Sequence, residues 1–384
     1  MKNFYLPVRN LFSPGKTTLL AAVIISFSFA AMLPVKLFGQ APTISYSSPQ
    51  VYLVNTAITP LAPVSSNVAA PTGVYGSPVL LGSGLSFNVN GLAVDAAGNT
   101  YVNDQNSTTG LVKKISADGT STTIIGSGFL MQSANVAVDQ AGNVFVADQG
   151  LVWKIPASGS PVTYGTPVVI NNTFSRPFAI ATDATGNVYV ADLNAGVYKM
   201  ANDGTNIVRI DNGISQGASI AVDAAGNVYV ATISDFALYE IPVNGSPQVK
   251  LATGFAFPRG LAVDGAGVIY VDDEGKTGIY TVPAGGGTPV AFEPGLSNLV
   301  GIAVDGGYNV YGTLQGAGGL NKFSPTGGYF ISPATLPAGL AFDNTTGIIS
   351  GTPTALSKAK NYVLSADNSS GSVSTTVNIA GCYS

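Results

Sequence analysis

The chain has 384 residues, of which 46% are hydrophobic and only 9% charged, with 47 glycines, 23 prolines, one cysteine and no histidine. That apolar content is too high for a disordered chain, and the glycine and proline content points to many short strands joined by tight turns. Without histidine, Ser–His triads, His general bases and His-based zinc sites are excluded, and the single Cys382 excludes an intrachain disulfide.

In chain order, Lys2, Arg9 and Lys16 precede an uncharged run, Thr17–Leu33. This is the order of a secretory signal peptide, with cleavage expected near Gly39 to Ala41, so residues 1–40 are set apart from the fold. The run is nearly long enough to span a bilayer, which makes a retained anchor the other reading and this segment, if uncleaved, the expected membrane contact. Those 40 residues hold four basic and no acidic side chains, so the remainder carries 20 acidic against 12 basic residues. That sign disfavours nucleic acid as a partner.

After an opening flank comes a repeat. An aspartate recurs at Asp95, Asp139, Asp183, Asp223, Asp264 and Asp305, in steps of 44, 44, 40, 41 and 41 residues. Around it stand GLAVDAAGNTYVND, NVAVDQAGNVFVAD, AIATDATGNVYVAD, SIAVDAAGNVYVAT, GLAVDGAGVIYVDD and GIAVDGGYNVYGTL. A second phrase of the type YKMANDG follows each. Each copy reads as strand, Asp–Gly turn, strand, third strand and fourth strand, and four antiparallel strands per forty residues is a propeller blade. These phrases resemble NHL repeats, which implies a six-bladed β-propeller over residues 69–326. Val268 in place of Asn and the irregular GGYNVYGT depart from the pattern. The sixth copy lacks a fourth strand, while an orphan strand in PTGVYGSPVLLGSG precedes the first. The N-terminal strand is therefore expected to complete the last blade and close the ring.

The flanks, 41–68 and 327–384, carry short alternating strands. LPAGLAFDNTTGIISGTPT and YSSPQVYLVNTAITPLAP resemble the Ig-like, cadherin-like domains of bacterial surface proteins. The fold class expected is thus all-β: a six-bladed propeller inserted into a small Ig-like β-sandwich. The resemblance implies a bacterial protein, secreted, periplasmic or on the cell surface. Because the insertion replaces the turn between strands 3 and 4 of blade six, the sandwich should lie on the face of the Asp–Gly turns. The opposite face, made of the 2–3 and 4–1 loops, should be free.

On that free face the strand-2 aspartates Asp104, Asp148, Asp192 and Asp273 could hold a metal such as Ca²⁺. As members of the repeat phrase they fit loop capping better. Asp343 and Asp367 of the sandwich raise the same choice. The 4–1 loops offer Phe129, Met131, Phe174, Arg176, Phe178, Phe255, Phe257 and Arg259, a set suited to a peptide, protein or glycan, or to plugging the spaces between blades. Cys382 reads as an inert tail residue, and no cofactor is implied. The expected function is non-enzymatic binding outside the cell. The alternatives are a calcium-type hydrolase or lyase with axial carboxylates, and a structural module of the envelope.

Overall fold

The computed structural model describes residues 40–382 apart from 70–74, 87–88, 107–108, 130–134, 277, 295–298, 315–318, 326, 333–335 and 369–370. The expected signal segment and Met131 lie outside these residues. Among them there is no helix long and apolar enough to cross a membrane.

The repeat phrase folds as its chemistry dictates. At Asp183 the backbone carbonyl accepts the Gly186 N–H (3.1 Å), and Oδ1 accepts the N–H groups of Thr185 and Asn187 (both 2.9 Å). Oδ2 accepts Asn187 Nδ2–H (2.7 Å) and Tyr189 O–H (3.0 Å). Gly186 sits at φ +87°, a backbone region that penalises a Cβ. These bonds account for every fixed letter of D-x-x-G-N-x-Y, and the other five aspartates bind the same N–H four residues on. At Asp264 the departure Val268 supplies no side-chain donor, and Oδ2 keeps the Tyr270 hydroxyl (3.1 Å).

Six four-stranded antiparallel sheets follow. From the inside outward, blade one is Val89–Val94, Thr100–Asn106, Thr109–Ile115 and Thr122–Phe129. Blade two is Asn135–Val138, Val144–Asp148, Leu151–Ile155 and Val168–Asn171, with an added hairpin of Ala157–Ser158 and Thr163–Tyr164. Blades three, four and five start at Pro177–Thr182, Gly217–Val222 and Pro258–Val263. Blade six is Leu299–Val304, Val310–Leu314 and Gly319–Phe323, and its outer strand is Val79–Leu81 from before the first blade. Each inner strand contacts the next, and that of blade six contacts that of blade one, so the ring is closed. The core lies between blades: Ala221, Tyr229 and Ala231 of blade four pack on Leu261, Ile269 and Val271 of blade five. One aliphatic from each inner strand, Leu92, Val136, Ile180, Ile220, Leu261 and Ile302, is buried around the axis, leaving a space of about 30 Å³.

Both flanks build one sandwich. Gln50–Leu53 pairs parallel with Gly371–Cys382, which pairs with Ser357–Asn368 and then Gly328–Ser332. Thr43–Ser45 pairs with Val64–Ser66, and Leu340–Phe342 with Ile349–Gly351. Ile44 and Leu61 from the first flank share a core with Ile331, Ile349, Leu364 and Ile379 from the second. The protein is therefore all-β, a six-bladed propeller with an Ig-like sandwich. The chain leaves and re-enters the sandwich side by side: Gly328 N–H donates to Ala69 O (2.8 Å), and Gly76 N–H to Ser324 O (2.9 Å).

Candidate ligand-binding face

The sandwich meets the ring on the face of the Asp–Gly turns. Tyr308, in the 1–2 turn of blade six, packs against Phe330 of the strand Gly328–Ser332, with ring centroids 5.4 Å apart. The 2–3 and 4–1 loops form the opposite face, away from that contact.

The strand-2 aspartates shape this second face. Buried Asp192 accepts the N–H groups of Ser175 (2.7 Å) and Arg176 (2.9 Å) from the preceding 4–1 loop, and those of Asn194 and Ala195 from its own 2–3 loop. Asp273 does the same for Ala256, Phe257 and Gly275. Asp104 accepts the Ser86 N–H and hydroxyl and pairs with Lys113 at 2.5 Å. Asp148 is buried at the corresponding strand end. Asp104, Asp192 and Asp273 thus serve loops of three different blades, and among the described residues no three His, Cys, Asp or Glu side chains gather as a metal would need. In the sandwich, Asp343 likewise accepts the N–H groups of Thr345 and Thr346, and Asp367 is buried.

The aromatic set divides. Phe129 packs edge-on to Trp153, Phe174 to Tyr198, and Phe255 lies in the core between blades four and five; all three are buried. They fill the spaces between blades. Arg176 is exposed, and Phe257, Phe178 and Arg259 are half-buried.

Phe178 and Arg259 owe their position to a β-bulge. In blades three and five the inner strand carries one extra residue, Phe178 between the pairs Pro177↔Asp192 and Ala179↔Ala191, and Arg259 between Pro258↔Asp273 and Gly260↔Asp272. A bulge re-aims the extra side chain. Blade four, between them, carries Ala218 at the same place, small enough for its neighbours to meet. The Arg259 guanidinium carbon stands 5.7 Å from the Phe178 ring centroid and 5.5 Å from that of Phe257, and Nη1 donates to Glu274 at 2.9 Å. Below this cluster Asp272 is 1% exposed, and its Oδ2 has no hydrogen-bond partner. Burial first, then the Glu274 and Asp273 charges, push its carboxyl up to about 8, against the pull of Arg259.

One residue of this face escaped the sequence reading. Phe236, in the 2–3 loop of blade four, is 41% exposed at φ +53°. Asp235 anchors the loop by accepting the Thr232 and Tyr239 hydroxyls and the Lys250 ammonium (2.5, 2.6 and 2.7 Å). Burial pushes the Asp235 carboxyl up, but these donors together hold it at about 2. The signal in the sequence was a lone aromatic outside the repeat phrase, too common a feature to single out.

The fold defines a closed six-bladed propeller interrupting an Ig-like domain. The family described as "Putative Ig domain" matches residues 303–380. The match begins inside Leu299–Val304 of blade six, whereas the structure keeps the chain in the ring as far as Phe323. A structural genomics protein of unknown function from Bacteroides thetaiotaomicron is similar over 74% of this chain and 76% of that one, at 15% identity and TM-score 0.51. A "putative gluconolactonase" covers 74% and 98% at 14% identity and TM-score 0.47. Virginiamycin B lyase from Staphylococcus aureus covers 72% and 99% at 14% identity and TM-score 0.45. No curated protein matches the chain.

Proposed function

We propose that the protein is a non-enzymatic binding protein, built from NHL-type blades and acting outside the cell, whose open propeller face receives a peptide or protein segment, with a glycan as the other ligand class. The observation that carries this is the cluster at the axial mouth, where Arg259 lies between Phe178 and Phe257 and is held by Glu274. Aromatic and arginine side chains on a rigid frame are the residues that most often dominate binding energy. Beneath them the axis leaves only about 30 Å³, lined by six aliphatics with Asn135 and Ser219 and, among the described residues, by no acidic side chain, which favours binding over hydrolysis. Phe236 adds an aromatic on a strained, well-anchored loop, a form of strain that concentrates at ligand clamps.

Peptide and glycan arrays probed with the chain lacking residues 1–40 test this. Phe257→Ala and Arg259→Ala should each weaken the captured ligand about tenfold or more, with melting temperature nearly unchanged. Equal capture by the wild type and both variants would overturn the reading.

A further inference from the structure

A second cavity lies on the flank of the ring between blades one and two, with a volume of about 500 Å³. Its wall is an addition to the repeat. Between strands three and four of blade two the chain inserts the hairpin Ala157–Ser158/Thr163–Tyr164. This hairpin carries Tyr164 to blade one, where its hydroxyl meets that of Tyr101 at 2.9 Å, and Tyr101 donates to Asp95 Oδ2 at 2.9 Å. Tyr164 is thereby fixed as a rigid side of the groove.

The charge in the groove is unusual for this acidic chain. Lys114 Nζ stands 5.7 and 5.6 Å over the Tyr101 and Tyr164 rings and forms no ion pair among the described residues. Asp95, bonded to Tyr101 beneath the ammonium, and Asp118, four residues along from Lys114, are both occupied: Asp95 by Asn99 and Tyr101, and Asp118 by Ser116 and Thr120. The groove between blades three and four is an internal control. There the homologous Lys199 lies 3.8 Å from the Asp183 carboxylate, the lining is mostly aliphatic, and the volume is about 230 Å³. The first groove instead sets Lys114 among hydroxyls, with Thr123 opposite it in register and Thr163 across the cleft. Ile124 and Val162, 57% and 46% exposed, form apolar rims.

We infer that this groove is a second binding site, for an anionic saccharide of uronate type. A single ammonium, with no arginine among the lining residues, offers one point charge to a carboxylate and leaves the rest of the polar lining to hydroxyl groups. The threonine hydroxyls meet sugar hydroxyls, and the exposed aliphatic rims meet the C–H face of a pyranose ring. The volume falls in the range of small-ligand sites and holds one or two such rings.

Isothermal titration of the chain lacking residues 1–40 with digalacturonate, and with neutral galactobiose as comparator, tests this. Digalacturonate should bind. Lys114→Met, which keeps the packing over the two rings, should weaken it by about tenfold or more. Val162→Glu, at an exposed rim, should weaken it as well, while Arg259→Ala on the open face should leave it unchanged. Galactobiose should bind more weakly and be indifferent to Lys114→Met. No heat from digalacturonate at about 10 mM with the wild type, equal affinity for the two disaccharides, or full affinity in a folded Lys114→Met protein would each overturn the site. Loss of binding in Arg259→Ala would move it to the open face.

Discussion

Asp272 occupies a position where three other blades carry Ala147, Ala191 and Ala231. A carboxyl there is buried with one oxygen unpaired, and its pKa is pushed up to about 8, by burial first and then by the Glu274 and Asp273 charges, with Arg259 opposing. The folded state therefore holds a proton that the unfolded chain releases near pH 4. With the folded value above the unfolded one, the stability linked to this group is complete below about pH 4. It is lost progressively as pH rises from there toward about 8. Asp272→Asn, which cannot ionise, should melt like the wild type at pH 4.5 and clearly higher at pH 8.5. Coincident melting curves at both values would show that the carboxyl is not neutral in the fold. No letter of the sequence announced this, because YVDD differs from YVAD by one residue on an otherwise ordinary strand, and the burial that perturbs it exists only in the folded ring.

Among the elements, the short strand Val79–Leu81 has a disproportionate role. It pairs with Leu320, Asn321 and Lys322, and Leu81 packs with Val89, Ile115 and Leu320, so one residue ties blade six to blade one. A Cβ on Gly119 would come 2.8 Å from Leu81 Cδ2, which shows how closely the strand seats on blade one. Leu81→Ala should cost about 2–5 kcal/mol in urea unfolding and speed amide exchange in Gly319–Phe323. Leu80→Ala, at a position 67% exposed, should change little. This closure was legible in the sequence because a repeat that ends one strand short, beside an orphan strand at its start, leaves few other ways to remove the edge. The Asp–Gly turns were legible for the same reason: their bonds are local, spanning two to six residues. The mouth cluster was only half legible. Arg259 and Phe257 stood out, but the bulges that bring Phe178 from blade three within reach of Arg259 in blade five are a property of the ring. So is the burial that removes Phe129, Phe174 and Phe255 from the face.

At the scale of the whole molecule, the sandwich is one core made from two distant stretches of chain, and the ring acts as the connector that brings them together. Ile44 and Leu61 reach Ile349 and Ile379 only once the ring has closed its ends to the 2.8 Å bond between Gly328 and Ala69. A guest whose ends meet this closely should be removable. Replacing residues 70–327 by a two-residue Asn–Gly turn, across which the Gly328 N–H to Ala69 O bond would close a β-turn, should leave an independently folding β-domain. Its circular dichroism should show a cooperative melt, below that of the intact chain because Phe330 loses its cover by Tyr308. Phe330→Ser in the excised domain should then improve solubility without abolishing the melt, since the residue would be exposed there. In the intact chain the same change, at a position 4% exposed, should instead destabilise the protein. A non-cooperative, unfolded excised chain, with or without the serine, would mean that the sandwich depends on the ring for more than the meeting of its two ends.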